Sequence, residues 1–177
     1  AQDAIRQQAN ASLFAQAQQN QGKIGYKLNS KSLSSGLIDC SGWVATTNRS
    51  MMQKVNDAAG TEVFSKKDMV AVNDSSEGII ANVGKKTGQI LNKEQLTQTG
   101  LKEGMMIGMD TGQQDHDKGR AMGIDHIVQT VRDPKTGKLM ISQSSSSGKG
   151  VSLTPADAWL AQQNKSKNKL FGVDPFA

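Results

Sequence analysis

The sequence predicts an α+β fold in which N-terminal helices pack on a small antiparallel β-sheet and one more helix closes the chain. Three observations carry this. Helix formers with four-residue apolar spacing open the 177 residues. From about residue 105 the apolar runs become short and partly alternating, and turn chemistry separates them. Near the end, "TPADAWLAQQN" carries the signals of a helix start.

The first segment, "AQDAIRQQANASLFAQAQQNQG", places Ile5, Ala9, Leu13 and Ala17 on one face and predicts an amphipathic helix ending near Asn20 to Gly22. A Gly/Ser/Asn-rich connection follows to about Gly36. A second helix begins around Cys40, with Val44, Met51, Met52 and Val55 as its apolar side and Gly60 as its stop. The middle, roughly 61–103, predicts short helices and turns, because "DSSEGIIANVG" and "NKEQLTQTG" each open on capping residues. Four strand candidates come next: "MMIGMD" (105–110), "IDHIVQTV" (124–131), "KLMISQS" (138–144) and "GVSL" (150–153). "RDPKTGK", punctuated by Pro134 and Gly137, joins the second and third as a hairpin. In the last helix Thr154 is expected as N-cap, Pro155 at the first helical position and Asp157 at the box position. There is no internal repeat, and "SQSSSSGKG" is the only low-complexity patch. The chain is expected to be a single domain over 1–177, with an N-terminal helix (1–21), a core (22–152) and a C-terminal helix and tail (153–177).

Composition narrows the function. With 36 % hydrophobic and 4 % aromatic residues, the core must rely on Ile, Leu, Val, Met and Ala. No apolar run of about 18 residues exists, so no membrane insertion is expected. The opening "AQDAIRQQAN" has neither a basic nor an apolar signal region. A leader already removed, a fragment of a longer protein, or another export route would each account for that. A net charge of +5 and a pI near 9.4 favour anionic partners, such as an acidic cell-wall polymer. Nucleic acid is not expected, because aromatics do not interleave with the basic residues and no binding motif occurs. The single cysteine cannot form an internal disulfide and does not report the compartment.

That cysteine sits in "SGLIDCSGWVATTNRSMM". If the helix starts at residues 39–41, unpaired backbone N–H groups and the helix dipole favour its thiolate. A free cysteine is otherwise a small buried hydrophobe, so both readings stand until a base is identified. Two histidines are available. His116, in "DTGQQDHDKGRAMG", reads as a solvated loop residue, and metal binding through the contiguous Asp115, His116 and Asp117 is weakly supported. His126 lies among Ile124, Ile127 and Val128, where a polar ring needs a partner.

Taken together, these stretches resemble the NlpC-type cell-wall cysteine peptidases, papain-like enzymes that cut peptide bonds in peptidoglycan. "GKIGYKLNSKSLSSGLIDCSGWV" is similar to the family's cysteine block, "LKEGMMIGMD" to its middle block, and "GIDHIVQTV" with "GKLMISQSSSSGKGV" to its histidine block and the following hairpin. The blocks run in the family's order over about residues 22–152. Departures are Lys27-Leu28-Asn29 where Trp-Gly-Gly is usual after the tyrosine, and Met105 where an Asp is usual.

The resemblance implies a papain-like fold, Cys40 as nucleophile, His126 as base and no metal or other cofactor in the chemistry. The third catalytic position matches Ser142 best. Gln143 is the better hydrogen-bonding residue but falls on the other face under strand alternation, and Ser144 shares the face of Ser142. Tyr26, Asp39 and Ser41 are implied to line the groove and grip stem-peptide ends, with alternative readings as a core aromatic, a helix N-cap and a first-turn residue. Trp43 reads as packing and "NKSKNK" as a solvated basic patch. The implied partners are peptidoglycan stem peptides. An interbacterial amidase effector, delivered by a type VI-like machine and paired with an immunity protein, fits the same resemblance. Such a protein would act outside the cytoplasm, secreted or periplasmic. Two other readings remain open: an acyltransferase of the same superfamily, and a non-catalytic interaction module.

Overall fold

The computed structural model describes residues 2–112 and 114–177. Among these the chain forms six α-helices and five strands, in the order α1 (Gln2–Asn20), α2 (Cys40–Ala59), α3 (Lys66–Ala71), α4 (Ser76–Thr87), α5 (Lys93–Thr99), β1 (Met106–Asp110), β2 (His126–Arg132), β3 (Leu139–Ser145), β4 (Gly150–Pro155), α6 (Ala156–Lys165) and β5 (Lys169–Val173). The strands make one antiparallel sheet of order β4-β3-β2-β1-β5. The expected α+β order is therefore observed.

Alternation along the strands builds two cores. Met106, Ile127, Val131 and Val173 face α1, α2 and α4, meeting Leu13, Val44, Met51, Met52 and Ile80. Ile107, Met109, Val128, Ile141 and Leu170 face the other way, toward Leu96 of α5 and Trp159 of α6. Helix α2 is fixed at both ends by local chemistry: Asp39 caps its start, and Gly60, at φ 66°, ends it in the left-handed conformation that glycine adopts without a Cβ penalty.

Two expectations need correction. Strand β4 runs on to Pro155, so α6 starts at Ala156 with Pro155 as an N-cap that makes no side-chain bond, and Thr154 is not the cap. Thr154 instead pairs with Ile141 in the sheet. The C-terminal tail also contains β5, which completes the sheet beside β1. Leu170 and Val173 bury on opposite faces of the sheet, a drive that the polar "NKSKNK" before them obscures in the sequence. The ends of the chain are tied together by Arg6, whose guanidinium donates to both carboxylate oxygens of Asp174 at 2.9 Å. Among the described residues no helix is long and apolar enough to cross a membrane.

Candidate active site

Cys40 is the first residue of α2. At a helix start the leading N–H groups lack intrahelical acceptors. The Gly42 N–H donates to Asp39 Oδ1 at 2.8 Å and the Trp43 N–H to the Asp39 carbonyl at 3.0 Å. This leaves the Cys40 and Ser41 N–H groups without an acceptor among the described residues. The Cys40 residue is 7 % exposed, so the thiol is largely withdrawn from water.

His126 opens β2 and is half-buried. Its Nε2 donates to Gln143 Oε1 at 2.7 Å, which leaves Nδ1 as the ring nitrogen that Gln143 does not engage. Burial opposes charging of the ring. The hydrogen bond and charge of Cys40, then Gln143 and the charge of Asp125, outweigh it and hold His126 above the ordinary histidine range. His126 and Gln143 are thus joined across two strands, and Cys40 at the start of α2 favours the charged form of the ring.

Ser142, the expected third member, is elsewhere. Its hydroxyl accepts from Trp43 Nε1 at 2.9 Å, on the face that packs against α2. Ser144 also points to that side and donates to the Ile38 carbonyl at 2.7 Å. Strand alternation holds as expected, but it is the Gln143 side that carries the imidazole. The register explains this. Gln129 pairs with Ser142 and faces α2, where Asn48 Nδ2 donates to Gln129 Oε1 at 2.7 Å, so the odd-numbered Gln143 and the even-numbered His126 share the opposite face.

A cavity of about 420 Å³ opens beside His126 and Gln143, lined also by Tyr26, His116 and Trp159 but not by Cys40. Tyr26 thus lines the same cavity as His126 and Gln143. Its hydroxyl is pushed above the usual phenol range by burial and by the negative charges of Cys40 and Asp39. Asp39 and Ser41 do not line the cavity. Both are buried: Asp39 Oδ1 caps α2, and its Oδ2 accepts from the Asn29 N–H at 2.9 Å and Lys31 Nζ at 2.7 Å. Lys31 Nζ also donates to Ser41 Oγ at 2.7 Å. The carboxylate expected to grip substrate is thus spent on holding the helix start and the preceding loop. His116 is exposed, as expected of a loop residue, and also lines the cavity, with its Nε2 meeting the Asp125 carbonyl at 3.0 Å. No local sequence signal marks it, because the loop that carries it is brought to the site only by sheet closure.

No protein-family model and no curated protein matches this sequence. Solved structures do share the fold. A Legionella pneumophila protein of the DUF1460 family superposes with a TM-score of 0.55 at 10 % identity, covering 93 % of this chain and 88 % of that one. An N-acetylmuramoyl-L-alanine amidase from Bacteroides uniformis gives 0.51 at 13 % identity, over 94 % and 98 % of the two chains. A Bacteroides fragilis protein described as a candidate xylanase gives 0.52 at 13 %, over 90 % and 99 %. At such identities the likeness is one of fold.

Proposed function

We propose that this chain is a papain-like, NlpC-type cysteine hydrolase that cleaves a peptide or amide bond in the stem peptides of peptidoglycan. The observation that supports the reading is the His126–Gln143 pair, with the Cys40 thiol at a helix N-terminus and the imidazole biased by Cys40 and Gln143 toward the charged form. Similarity of fold to an N-acetylmuramoyl-L-alanine amidase supports the substrate class.

In this mechanism the thiol proton passes to His126 Nδ1, and Cys40 Sγ attacks the carbonyl carbon. The negative charge that develops on the carbonyl oxygen meets the free Cys40 N–H and the positive end of α2. His126 then gives its proton to the leaving nitrogen, the C–N bond breaks, and a thioester remains on Cys40. Water, deprotonated by His126, attacks the thioester and regenerates the thiol. Gln143 accepts from Nε2 throughout, which fixes the ring so that Nδ1 faces sulfur.

The test is digestion of purified sacculi followed by mass spectrometry of the soluble fragments. Wild-type protein is expected to release stem-peptide fragments, and Cys40→Ala to release none while keeping its circular dichroism spectrum and melting temperature. Iodoacetamide at neutral pH should block the wild type quickly. Full activity in Cys40→Ala would overturn the reading.

A further inference from the structure

Away from the thiol, three carboxylates converge. One oxygen from each of Asp110, Asp117 and Asp125 lies within 4.8 Å of the others, with Asp117 and Asp125 buried and Asp110 half-buried. Asp110 ends β1, Asp125 immediately precedes β2, and Asp117 closes a 3-10 turn (Asp115–Asp117) in the connection between them. This differs from the contiguous Asp115, His116 and Asp117, for which the sequence gives only weak support, since only Asp117 of those belongs to the cluster.

Partners within the protein account for most of these oxygens. Asp125 accepts from the Thr111 N–H and from Thr111 Oγ1, both at 2.7 Å, and Asp110 Oδ1 accepts from the Gly112 N–H at 3.0 Å. Asp117 Oδ1 accepts from the Gln114 N–H at 3.0 Å, but Asp117 Oδ2 is buried with no hydrogen-bond partner. The Asp117 residue is 5 % exposed. Among the described residues no basic side chain is within ion-pair reach of any of the three. Lys118 reaches the exposed Asp115, and Arg120 donates to Ser76 Oγ and the Ile124 carbonyl. Gathering three carboxylates around an orphaned buried oxygen is costly unless a positive charge joins them.

We propose that Asp110, Asp117 and Asp125 form a structural Ca²⁺ site that pins the 111–125 connection to the end of the sheet. The donors are all carboxylate oxygens, which suit a hard cation. His116 gives its Nε2 to the Asp125 carbonyl, so the set lacks the nitrogen or sulfur that zinc sites use. Ca²⁺ fits better than Mg²⁺ because a cluster spread over two strand ends and a loop does not impose octahedral geometry. Gly123, at φ +67°, lets the returning chain close over the cluster, since a Cβ there would lie 3.0 Å from Asp110 Oδ2. The ion holds the loop that brings His116 to the cavity and takes no part in bond cleavage. The proposal stands apart from the hydrolase reading, because its readouts are binding and stability.

The experiment is thermal unfolding of chelator-stripped protein with and without CaCl₂. Wild type should melt roughly 5 °C higher at Ca²⁺ about 100-fold above its Kd. Asp117→Asn should lose this response, and Asp115→Asn, in the exposed part of the loop, should keep it. A wild type indifferent to CaCl₂, an undiminished response in Asp117→Asn, or an equal or larger response to MgCl₂ would each overturn the proposal. If Asp117→Asn does not fold, the wild type alone decides through an NMR titration with CaCl₂. Shifts centred on the amides of Thr111, Gly112 and Gly123 support the site, and shifts confined to other residues overturn it.

Discussion

His126 Nε2 and Gln143 Oε1 meet at 2.7 Å across the neighbouring strands β2 and β3. Counting the register on from Gln129 opposite Ser142 puts Val128 opposite Gln143, so the pair is diagonal and lies on one face of the sheet. A ring held by a carboxamide from a second strand cannot turn without breaking that bond. The orientation of the ring is thereby fixed by the sheet itself.

The first prediction separates Gln143 from Ser142. Gln143→Ala should lower kcat roughly 10-fold or more, since it frees the ring of a general base whose full loss costs about two to four orders of magnitude. Ser142→Ala should leave turnover near wild type but cost about 1–3 kcal/mol of stability, because it strands the buried Trp43 Nε1 donor. Steady-state kinetics and urea unfolding on both variants check this. A slow Ser142→Ala enzyme of normal stability would contradict the assignment.

The two histidines should differ in kind. His126→Ala is expected to lose about two or more orders of magnitude in kcat. His116 lines the cavity and its Nε2 is engaged by the Asp125 carbonyl, so His116→Ala should act mainly through KM, by a few-fold. Equal losses of kcat in the two variants would argue against this division.

The pH profile follows from the bias on His126. Cys40 and Gln143 favour the charged ring against the effect of burial, and the leaving nitrogen needs that ring protonated. The alkaline limb of kcat/KM should therefore fall above the ordinary histidine value of about 6.5. Removing an acceptor from the charged ring weakens its hold on the proton, so Gln143→Ala should move this limb to lower pH. A limb that stays in place or rises in the variant would show that Gln143 does not stabilise the imidazolium.

What the sequence could reveal depended on how local the cause was. Helix α2, its start at Cys40 and its stop at Gly60 follow from spacing and capping within 20 residues, and the structure keeps them. His126 was recognisable because a polar ring in an apolar strand calls for a partner. The choice between Ser142 and Gln143 was not legible, because alternation separates two faces without saying which one meets the histidine. Which side chain meets the ring depends on contacts nearly 100 residues apart, such as Trp43 to Ser142. Asp39 illustrates the reverse case: one carboxylate matched a cap and a substrate ligand equally well, and only the positions of Asn29 and Lys31 show where its oxygens are spent. The Asp110, Asp117 and Asp125 cluster joins residues up to 15 apart through the return of β1 into β2, which no ligand spacing in the sequence anticipates.

The last prediction concerns place. The chain carries a net charge of +5, and its proposed substrate is an anionic polymer outside the inner membrane. Charge of this sign raises the local concentration of enzyme on such a surface and weakens with salt. Expressed in a Gram-negative host, the protein should be harmless in the cytoplasm and lytic when directed to the periplasm by a signal peptide. Lysis should disappear in Cys40→Ala and His126→Ala expressed to the same level, and binding of the inactive protein to isolated sacculi should decline between low and physiological salt. Turbidity of induced cultures and a pull-down with sacculi measure the two effects. Equal toxicity in both compartments, or toxicity that survives loss of Cys40, would point to a target other than the cell wall, as an acyltransferase or an interaction module would have.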